Sequence, residues 1–338
     1  MEDKNEKLLQ IEDLHIHYMS EGRKVCAVNG VSFEIGAGET IGLVGETGAG
    51  KTTMALAIMK LIQKPAGRYA GGRILFGGED LITASENRMH SIRGNQIAMI
   101  FQDPMTCMNP TTQVGKQIVE SIKLHRHLSS AEAKAEAIRC LEQVRIPNPE
   151  ERAKQYPHEF SGGMRQRAMI AMALSCNPKL LIADEPTTAL DVTIQAQIME
   201  LLAELKDKIN TAIILITHDL GVVAGIADRV AVMYAGKVVE TGTTDEIFYE
   251  HKHPYTEALL RSLPSTDQGK REPLMSIPGT PPDLLAPPKG CGFAARCRHC
   301  MQICKEEQPP EFELSAGHKA SCWLLHPDCP SAEERGAK

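Results

Sequence analysis

Residues 45–52 have the sequence Gly-Glu-Thr-Gly-Ala-Gly-Lys-Thr, which follows an uncharged run, Thr40–Val44, and precedes a predicted helix, Thr52–Ile62. A strand, a glycine-rich loop and a helix in this order match the phosphate-binding loop pattern. Glycines let backbone N–H groups turn inward on phosphate oxygens, and the helix N-terminus adds positive potential. Lys51 can reach the β- and γ-phosphates, and Thr52 can ligate Mg²⁺. Because a merely flexible turn does not need the flanking strand and helix, we predict a nucleoside triphosphate site.

A second uncharged run, Leu180–Ala183, ends on Asp184 and Glu185. A buried strand that ends in two carboxylates can hold the Mg²⁺ shell with the first and polarise an attacking water with the second. Acidic residues at a strand end are common by themselves. Since ligands of open α/β sheets bind at the carboxyl ends of the strands, these two carboxylates are nevertheless predicted to serve the phosphate site.

The hydrophobic pattern predicts an α/β fold. Alternating apolar and polar residues over 8–38 and short glycine-punctuated runs over 68–82 predict an antiparallel β layer. Four runs without charges are typical of strands buried on both faces of a parallel sheet. They are Thr40–Val44, Leu180–Ala183, Ala212–Ile216 and Val230–Met233.

Helical segments separate these strands. The clearest helix begins at a capping box, Ser129–Glu132, inside an insert between the first two uncharged runs. Another follows the second uncharged run, with apolar residues at helical spacing from Ile194 to Leu205. The order of strands and helices predicts a doubly wound α/β core.

Composition limits the classes of function. The 338 residues, 42% of them hydrophobic, suffice for one large α/β domain and a smaller appendage. Acidic residues outnumber basic ones by 43 to 37, so the chain lacks a basic field and no nucleic-acid partner is predicted.

No apolar run approaches the ~20 residues that span a bilayer. Because no apolar segment follows the charged stretch Met1–Lys7, no secretory signal is predicted, and we expect a cytosolic chain that docks on membrane-spanning subunits.

The segment Phe160–Arg167, Phe-Ser-Gly-Gly-Met-Arg-Gln-Arg, resembles the signature sequence of ABC ATPases. Met164 departs from the general signature, which has Gln, but Met is common there in the peptide-importer branch. The other family elements follow in order, with Tyr18 at the adenine-stacking position, Gln102 as the switch glutamine, Thr188–Asp191 as the D-loop and His218 as the γ-phosphate histidine. The resemblance implies a P-loop ABC ATPase with a RecA-like parallel sheet core, an antiparallel β layer and a helical subdomain over about 103–176.

The resemblance also implies the roles of individual residues. The expected catalytic residues are Glu185, His218 and Gln102, and the expected Mg²⁺ ligands are Thr52, Gln102 and Asp184. The residues expected to bind ATP are Tyr18, Gly45, Glu46, Thr47, Gly48, Ala49, Gly50, Lys51, Thr52, Thr53, Asp184, Ser161, Gly162, Gly163 and Asp191. The alternative for Tyr18 is an ordinary strand aromatic of the core. A lone histidine at a strand end is more often structural, but the surrounding motifs favour the γ-phosphate role for His218.

In this family the signature helix acts on a neighbouring subunit. Its N-terminus, at Ser161 and Gly162, caps the γ-phosphate of ATP that is bound to the opposite subunit. ATP therefore joins two subunits and hydrolysis releases them, a motion that is transmitted to membrane partners.

Further stretches narrow the resemblance to the ATPases of oligopeptide/dipeptide importers. They are Met105–Pro110, His253–Thr256, Ile277–Gly279 and Gly290–Cys297. The implied domains are an ABC nucleotide-binding domain over 1–262 and, over 263–338, a proline-rich linker with a cysteine-rich C-terminal extension. The implied function is to power uptake of di- or oligopeptides from the cytoplasmic side of the cell membrane.

The implied partners are a second, distinct ABC ATPase, two transmembrane permeases and an extracytoplasmic substrate-binding protein. Because selectivity resides in those subunits, nickel chelates, glutathione, opines and antimicrobial peptides remain alternative cargoes.

Two other classes of function compete with transport. One is a soluble ABC ATPase acting on ribosomes or DNA, although such proteins typically carry two cassettes or long coiled insertions. The other is a motor whose tail senses metal.

Six of the ten cysteines lie near the C-terminus, at Cys291, Cys297, Cys300, Cys304, Cys322 and Cys329. In a reducing cytosol such crowding suggests metal ligation before disulfides. The family pattern matches Cys291, Cys297, Cys304 and Cys322, which implies that these four thiolates hold a [4Fe-4S] cluster. Zinc is the alternative, because the spacings around Cys300 suit structural zinc, and inert thiols are a third possibility.

Overall fold

The computed structural model describes residues 7–20, 22–188, 190–262 and 276–330. Pro264 and Pro273 of the predicted linker and Ala189 of the predicted D-loop lie outside the described residues, as does 331–338 at the end of the predicted extension.

The strands are β1 Lys7–Ser20, β2 Arg23–Gly36, β3 Thr40–Val44, β4 Gly67–Phe76, β5 Glu79–Asp80, β6 Ile97–Ile100, β7 Leu180–Asp184, β8 Ala212–Thr217, β9 Arg229–Tyr234, β10 Lys237–Thr243, β11 Phe312–Ser315 and β12 His318–Ala320. The α-helices are α1 Lys51–Ile58, α2 Glu86–Ile92, α3 Pro104–Cys107, α4 Val114–His125, α5 Ser130–Gln143, α6 Pro149–Arg152, α7 Gly162–Leu174, α8 Val192–Ile209, α9 Leu220–Ile226, α10 Thr244–Tyr249, α11 Pro254–Arg261 and α12 Gln302–Glu306. Short 3₁₀ helices cover Pro157–Glu159, Ala294–Arg296 and Trp323–Leu325. Among the helices of the described ranges, none is both long enough and apolar enough to cross a membrane.

The chain divides into two compact units. The first unit contains the residues up to Leu9, Ile35–Thr40 and Phe76–Thr217. The second unit contains Gln10–Glu34, Ile41–Leu75 and the residues from His218 onward.

In the second unit, β11, β12, β10, β9 and β3 are hydrogen-bonded neighbours in that order. β3 and β9 pair in parallel from Ile41 opposite Arg229 to Val44 opposite Val232, and the other pairs are antiparallel. Both predicted strands are buried, β3 along its whole length, which confirms the interpretation of these uncharged runs. The predicted β layer is formed by β2, β1 and β4 in that order.

A buried acid joins the C-terminal strands to the rest of the second unit. Glu240 of β10 is 1% exposed. Its carboxylate accepts hydrogen bonds from the backbone N–H groups of Lys252 at 2.6 Å and His253 at 3.1 Å, and it lies 3.1 Å from Nε2 of His318 in β12. A buried charge that is satisfied in this way ties β10, the start of α11 and β12 together.

In the first unit, β8, β7 and β6 are parallel neighbours. β7 and β8 are the buried strands that the sequence predicts, and both are fully buried. Helices α4, α5 and α7 pack against one another. The capping box at Ser129 begins α5 as predicted, since its hydroxyl accepts from the N–H of Glu132 and the Glu132 carboxylate accepts from the N–H of Ser129.

Three features differ from the sequence prediction. The helix predicted over Thr52–Ile62 ends at Ile58, because Lys60 adopts a left-handed backbone conformation with φ of 51°. Strand β6 was missed, as it is only four residues long. No secondary structure was predicted for the cysteine-rich extension, which contains α12 and the hairpin β11–β12, stabilised by pairing with β10.

Candidate nucleotide-binding site

The glycine-rich loop connects β3 to α1, and two of its glycines are required by close approach of the backbone. A Cβ atom at Gly45, where φ is 148°, would lie 2.1 Å from the carbonyl oxygen of Met233. One at Gly50, where φ is 99°, would lie 2.4 Å from the carbonyl oxygen of Ala27. A side chain at either position would displace the loop from β9 or β2, so the glycines fix the position of the loop in the second unit.

Lys51 folds back over this loop. Its Nζ donates hydrogen bonds to the carbonyl oxygens of Gly45 at 2.6 Å and Glu46 at 3.0 Å, and its side chain is buried. Thr52 is exposed in the first turn of α1, where no acidic residue offsets the positive potential of the helix N-terminus. An ammonium, a hydroxyl and a helix N-terminus therefore converge on one loop, which is the arrangement that binds a polyphosphate.

Glu46 in this loop is fixed by residues that the sequence analysis did not assign to the site. Its backbone N–H donates to the hydroxyl of Tyr255 at 2.8 Å. Its two carboxylate oxygens accept from the guanidinium of Arg296 at 2.6 and 2.9 Å. The only signals in the sequence were the segments His253–Thr256 and Gly290–Cys297, which suggested the importer branch but no contact with the loop.

Tyr18 lies at the edge of the core. Its side chain is half-buried and, together with Leu56, Leu61 and Gln63, lines an open cavity beside α1. A tyrosine ring at an open cavity offers a face for stacking on a base. The adenine-stacking role of Tyr18 stays a prediction.

The two predicted carboxylates lie at the carboxyl end of β7 in the first unit. Asp184 is 3% exposed. Glu185 has a left-handed backbone with φ of 47°, a conformation that is uncommon for residues other than glycine and that is held here by a hydrogen bond from its N–H to the carbonyl oxygen of Ile216 at 2.8 Å. Its Oε2 accepts from Nε2 of Gln102 at 2.8 Å and from the Thr188 hydroxyl at 2.9 Å. The predicted catalytic pair Gln102 and Glu185 is therefore in direct contact.

The signature residues form the N-terminus of α7. Ser161 is the N-cap, its hydroxyl accepting from the N–H of Met164 at 3.3 Å. Ser161 and Gly162 are exposed. A Cβ atom at Gly163 would lie 2.9 Å from Ile194, whereas one at Gly162 would have its nearest neighbour, Leu190, at 3.6 Å.

Two predicted site residues lie beside helix starts. Asp191 is the N-cap of α8, where its carboxylate accepts from the N–H of Ile194 at 3.0 Å. His218 is exposed just after β8, and the next residue, Asp219, caps α9 by accepting from the N–H groups of Gly221 and Val222. The structure thus gives Asp191 a helix-capping contact and leaves the imidazole of His218 at the surface of the second unit.

The C-terminal cysteines separate into two sets. Cys291, Cys297, Cys304 and Cys322 line one small cavity together with His253 and Phe293. Cys300 and Cys329 do not line it, although the Cys300 thiol interacts with that of Cys304; the sulfurs of both contact Met301. Burial raises the pKa of the Cys297 thiol to about 11 and that of the Cys322 thiol to about 12. No cysteine in the described ranges forms a disulfide, and no three His, Cys, Asp or Glu side chains there have the arrangement of a metal-holding group.

Comparisons with known proteins match two regions of the chain. Residues 28–188 match the ABC transporter family model, and residues 239–304 match the model of the oligopeptide/dipeptide transporter C-terminal region. An oligopeptide transport ATP-binding protein of Bacillus subtilis (strain 168) is 58% identical over 97% of this chain and 91% of its own length. A dipeptide transport ATP-binding protein of the same organism is 53% identical over 94% of this chain and 95% of its own length.

Solved structures agree with these matches. A dimeric ATP-binding cassette in a post-hydrolysis state bound to ADP and Pi covers 70% of this chain and 98% of its own, with 25% identity and a TM-score of 0.63. A subunit of an ABC transporter complex from Clostridium perfringens covers 73% of this chain and 92% of its own, with 29% identity and a TM-score of 0.62.

Proposed function

Because this chain belongs to the ABC transporter ATPases with an oligopeptide/dipeptide transporter C-terminal region, we propose that it hydrolyses ATP to power import of di- or oligopeptides. The observation that carries the proposal is the match of both regions within one chain to relatives named as oligopeptide and dipeptide transport ATP-binding proteins. The cassette supplies the energy, and the C-terminal region distinguishes this branch from other cassettes.

The proposed chemistry assigns one task to each group. Lys51 and the N–H groups of its loop bind the phosphates, and Tyr18 stacks on the base. Glu185 polarises the attacking water, with Gln102 orienting its carboxylate. The exposed imidazole of His218 contacts the γ-phosphate.

The proposed Mg²⁺ ligands are Thr52, Asp184 and Gln102. Their hydroxyl, carboxylate and amide oxygens are the hard donors that Mg²⁺ prefers, and Asp184 is buried at a strand end where an ionised carboxylate needs a cation or hydrogen bonds. When bound, the ion neutralises charge on the β- and γ-phosphate oxygens.

The proposed assembly contains a second, related ATPase, two permeases and an extracytoplasmic substrate-binding protein, with this chain on the cytoplasmic face of the membrane. Ser161, Gly162 and Gly163 act on ATP held by the second ATPase, and Asp191 lies next to them in that contact. The exposure of Ser161 and Gly162 at the start of α7 supports this role, since an exposed helix N-terminus can cap a phosphate from another subunit.

Reconstitution tests this function. The chain is co-expressed with its neighbouring permease and binding-protein genes, purified from solubilised membranes, and placed in liposomes that enclose ATP. We expect co-purification of the permeases and ATP-dependent uptake of labelled di- or oligopeptides. Uptake of a nickel chelate, glutathione, an opine or an antimicrobial peptide instead would correct the cargo, whereas failure to retain any permease would favour a soluble ATPase.

We also propose that Cys291, Cys297, Cys304 and Cys322 hold a [4Fe-4S] cluster, with Zn²⁺ as the alternative. Four thiols lining one cavity suit either group in number. Because these side chains do not yet have the arrangement of a metal-holding group, ligation has to draw the thiols towards a common point. The short elements of the tail bury few apolar residues, so ligation would add folding free energy there.

Metal analysis of cysteine variants tests the ligand set. After anaerobic purification we expect iron and acid-labile sulfide in the wild type and in Cys300→Ser, and loss of both in Cys291→Ser and Cys304→Ser. Cys300→Ser is the matched control because its sulfur lies outside the cavity. Stoichiometric zinc without sulfide would contradict the cluster, and loss of iron in Cys300→Ser would contradict the ligand assignment.

A further inference from the structure

Arg296 connects the cysteine-rich tail to the glycine-rich loop within the second unit. It ends the 3₁₀ helix Ala294–Arg296, directly before Cys297. Its guanidinium forms a two-pronged pair with the Glu46 carboxylate, at 2.6 and 2.9 Å. The side chain of Arg296 is 4% exposed and that of Glu46 is 25% exposed, so solvent screens this pair far less than a surface ion pair.

The guanidinium is fixed from all sides. Nε donates to the carbonyl oxygen of Pro278 at 3.0 Å, Nη2 donates to that of Ile277 at 3.1 Å, and Nη1 donates to the hydroxyl of Tyr234 at 3.1 Å. The ring centroids of Tyr234 and Phe293 lie 5.8 and 6.0 Å from Cζ. Every donor direction of the fork is used, so its orientation towards Glu46 is determined by the tail and not by Glu46 alone.

Both the backbone and the side chain of Glu46 are in turn restrained. Tyr255 accepts from its N–H, Lys51 donates to its carbonyl oxygen, and Arg296 binds its carboxylate. Without the guanidinium, a negative charge would stand uncompensated in a loop built to bind anionic phosphates. Such a charge weakens binding of a polyphosphate through repulsion, whether or not the fold is otherwise intact.

We infer that Arg296 is a positioning residue for nucleotide binding, which acts through Glu46 by neutralising its carboxylate and by fixing the loop that receives the phosphates. The inference rests on the proposed role of residues 45–52 in binding ATP. According to this inference, the cysteine-rich extension contributes to nucleotide affinity, although it lies far from the glycine-rich loop in the sequence.

Equilibrium binding of Mg²⁺-ATP to the purified full-length chain tests the inference. We expect Arg296→Gln to weaken binding about two- to fifteenfold, the range for one negative charge acting on another at roughly 10 Å between solvent-like and partly buried surroundings. The double variant Glu46→Gln/Arg296→Gln is expected to recover most of the lost affinity, because the uncompensated charge is gone.

Recovery of ATP affinity in the double variant is the decisive readout. If Arg296 were purely structural, the double variant would bind ATP no more tightly than Arg296→Gln. Arg298→Gln is the matched control: Arg298 belongs to the same segment but pairs with Glu257 and is more than half exposed, so we expect wild-type affinity. If Arg296→Gln does not fold, Arg296→Lys keeps the charge and should bind ATP within about threefold of the wild type. A tenfold loss in the lysine variant, no loss in Arg296→Gln, or no recovery in the double variant would overturn the inference.

Lys51→Ala separates this inference from the proposed function. If the wild type binds ATP and Lys51→Ala does not, the phosphate site is established and the Arg296 series can be interpreted by itself. If neither binds, the proposed function fails, whatever Arg296 does.

Discussion

Glu185→Gln should bind ATP with nearly wild-type affinity and lose about 10² to 10⁴ in the rate of hydrolysis, which is the usual contribution of a positioned general base. The amide is isosteric with the carboxylate and can still contact Gln102 and Thr188, so the local structure should persist. It cannot accept a proton from water. With hydrolysis blocked, ATP should hold two ATPase subunits together.

The measurement is ATP turnover by the reconstituted transporter, accompanied by size-exclusion chromatography of the ATPase subunits with and without ATP. Glu200→Gln is a suitable control, because the same chemical change then occurs on an exposed face of α8, where Glu200 pairs with Arg145. Near-normal turnover in Glu185→Gln would remove Glu185 from the catalytic role and would leave the contact with Gln102 as a structural hydrogen bond.

The sequence predicted those parts of the fold that depend on local patterns. An uncharged strand such as β3 or β7 can be recognised by composition, because burial on both faces excludes charged residues. The start of α5 follows from a capping box that needs only four neighbouring residues. The phosphate loop was predictable for the same reason, because its motif lies within eight neighbouring residues. Its glycines are required where the loop backbone approaches the backbone of adjacent strands.

Contacts between distant parts of the chain were not predictable in this way. Arg296 and Glu46 are 250 positions apart in the sequence. Neither an arginine among cysteines nor an acid in a glycine-rich loop indicates by itself that the two side chains pair. The hairpin β11–β12 was missed for a similar cause, because its stability derives from pairing with β10 and from the buried contact of His318 with Glu240. Proline content predicts a linker but does not indicate the secondary structure of the residues that follow it.

The start of α7 provides the second test with a large expected effect. Gly162 is exposed, and a side chain there would meet nothing closer than Leu190 at 3.6 Å, so an aspartate fits without disturbing the helix. Asp is also well tolerated near a helix N-terminus, where its charge is favourable. The substitution therefore changes the charge presented to a neighbouring subunit and leaves the fold of its own subunit intact.

Gly162→Asp should reduce ATP hydrolysis by the assembled transporter about 10²-fold or more, the scale for losing an electrostatic group aimed at transition-state charge. ATP affinity of the isolated chain should remain nearly unchanged, because the added carboxylate faces a γ-phosphate only in the dimer. Gly225→Asp controls for an added surface charge, since that glycine of α9 also has open space for a side chain. A large loss of ATP affinity in the isolated Gly162→Asp chain would show that α7 serves its own nucleotide and that Ser161 and Gly162 have been assigned to the wrong subunit.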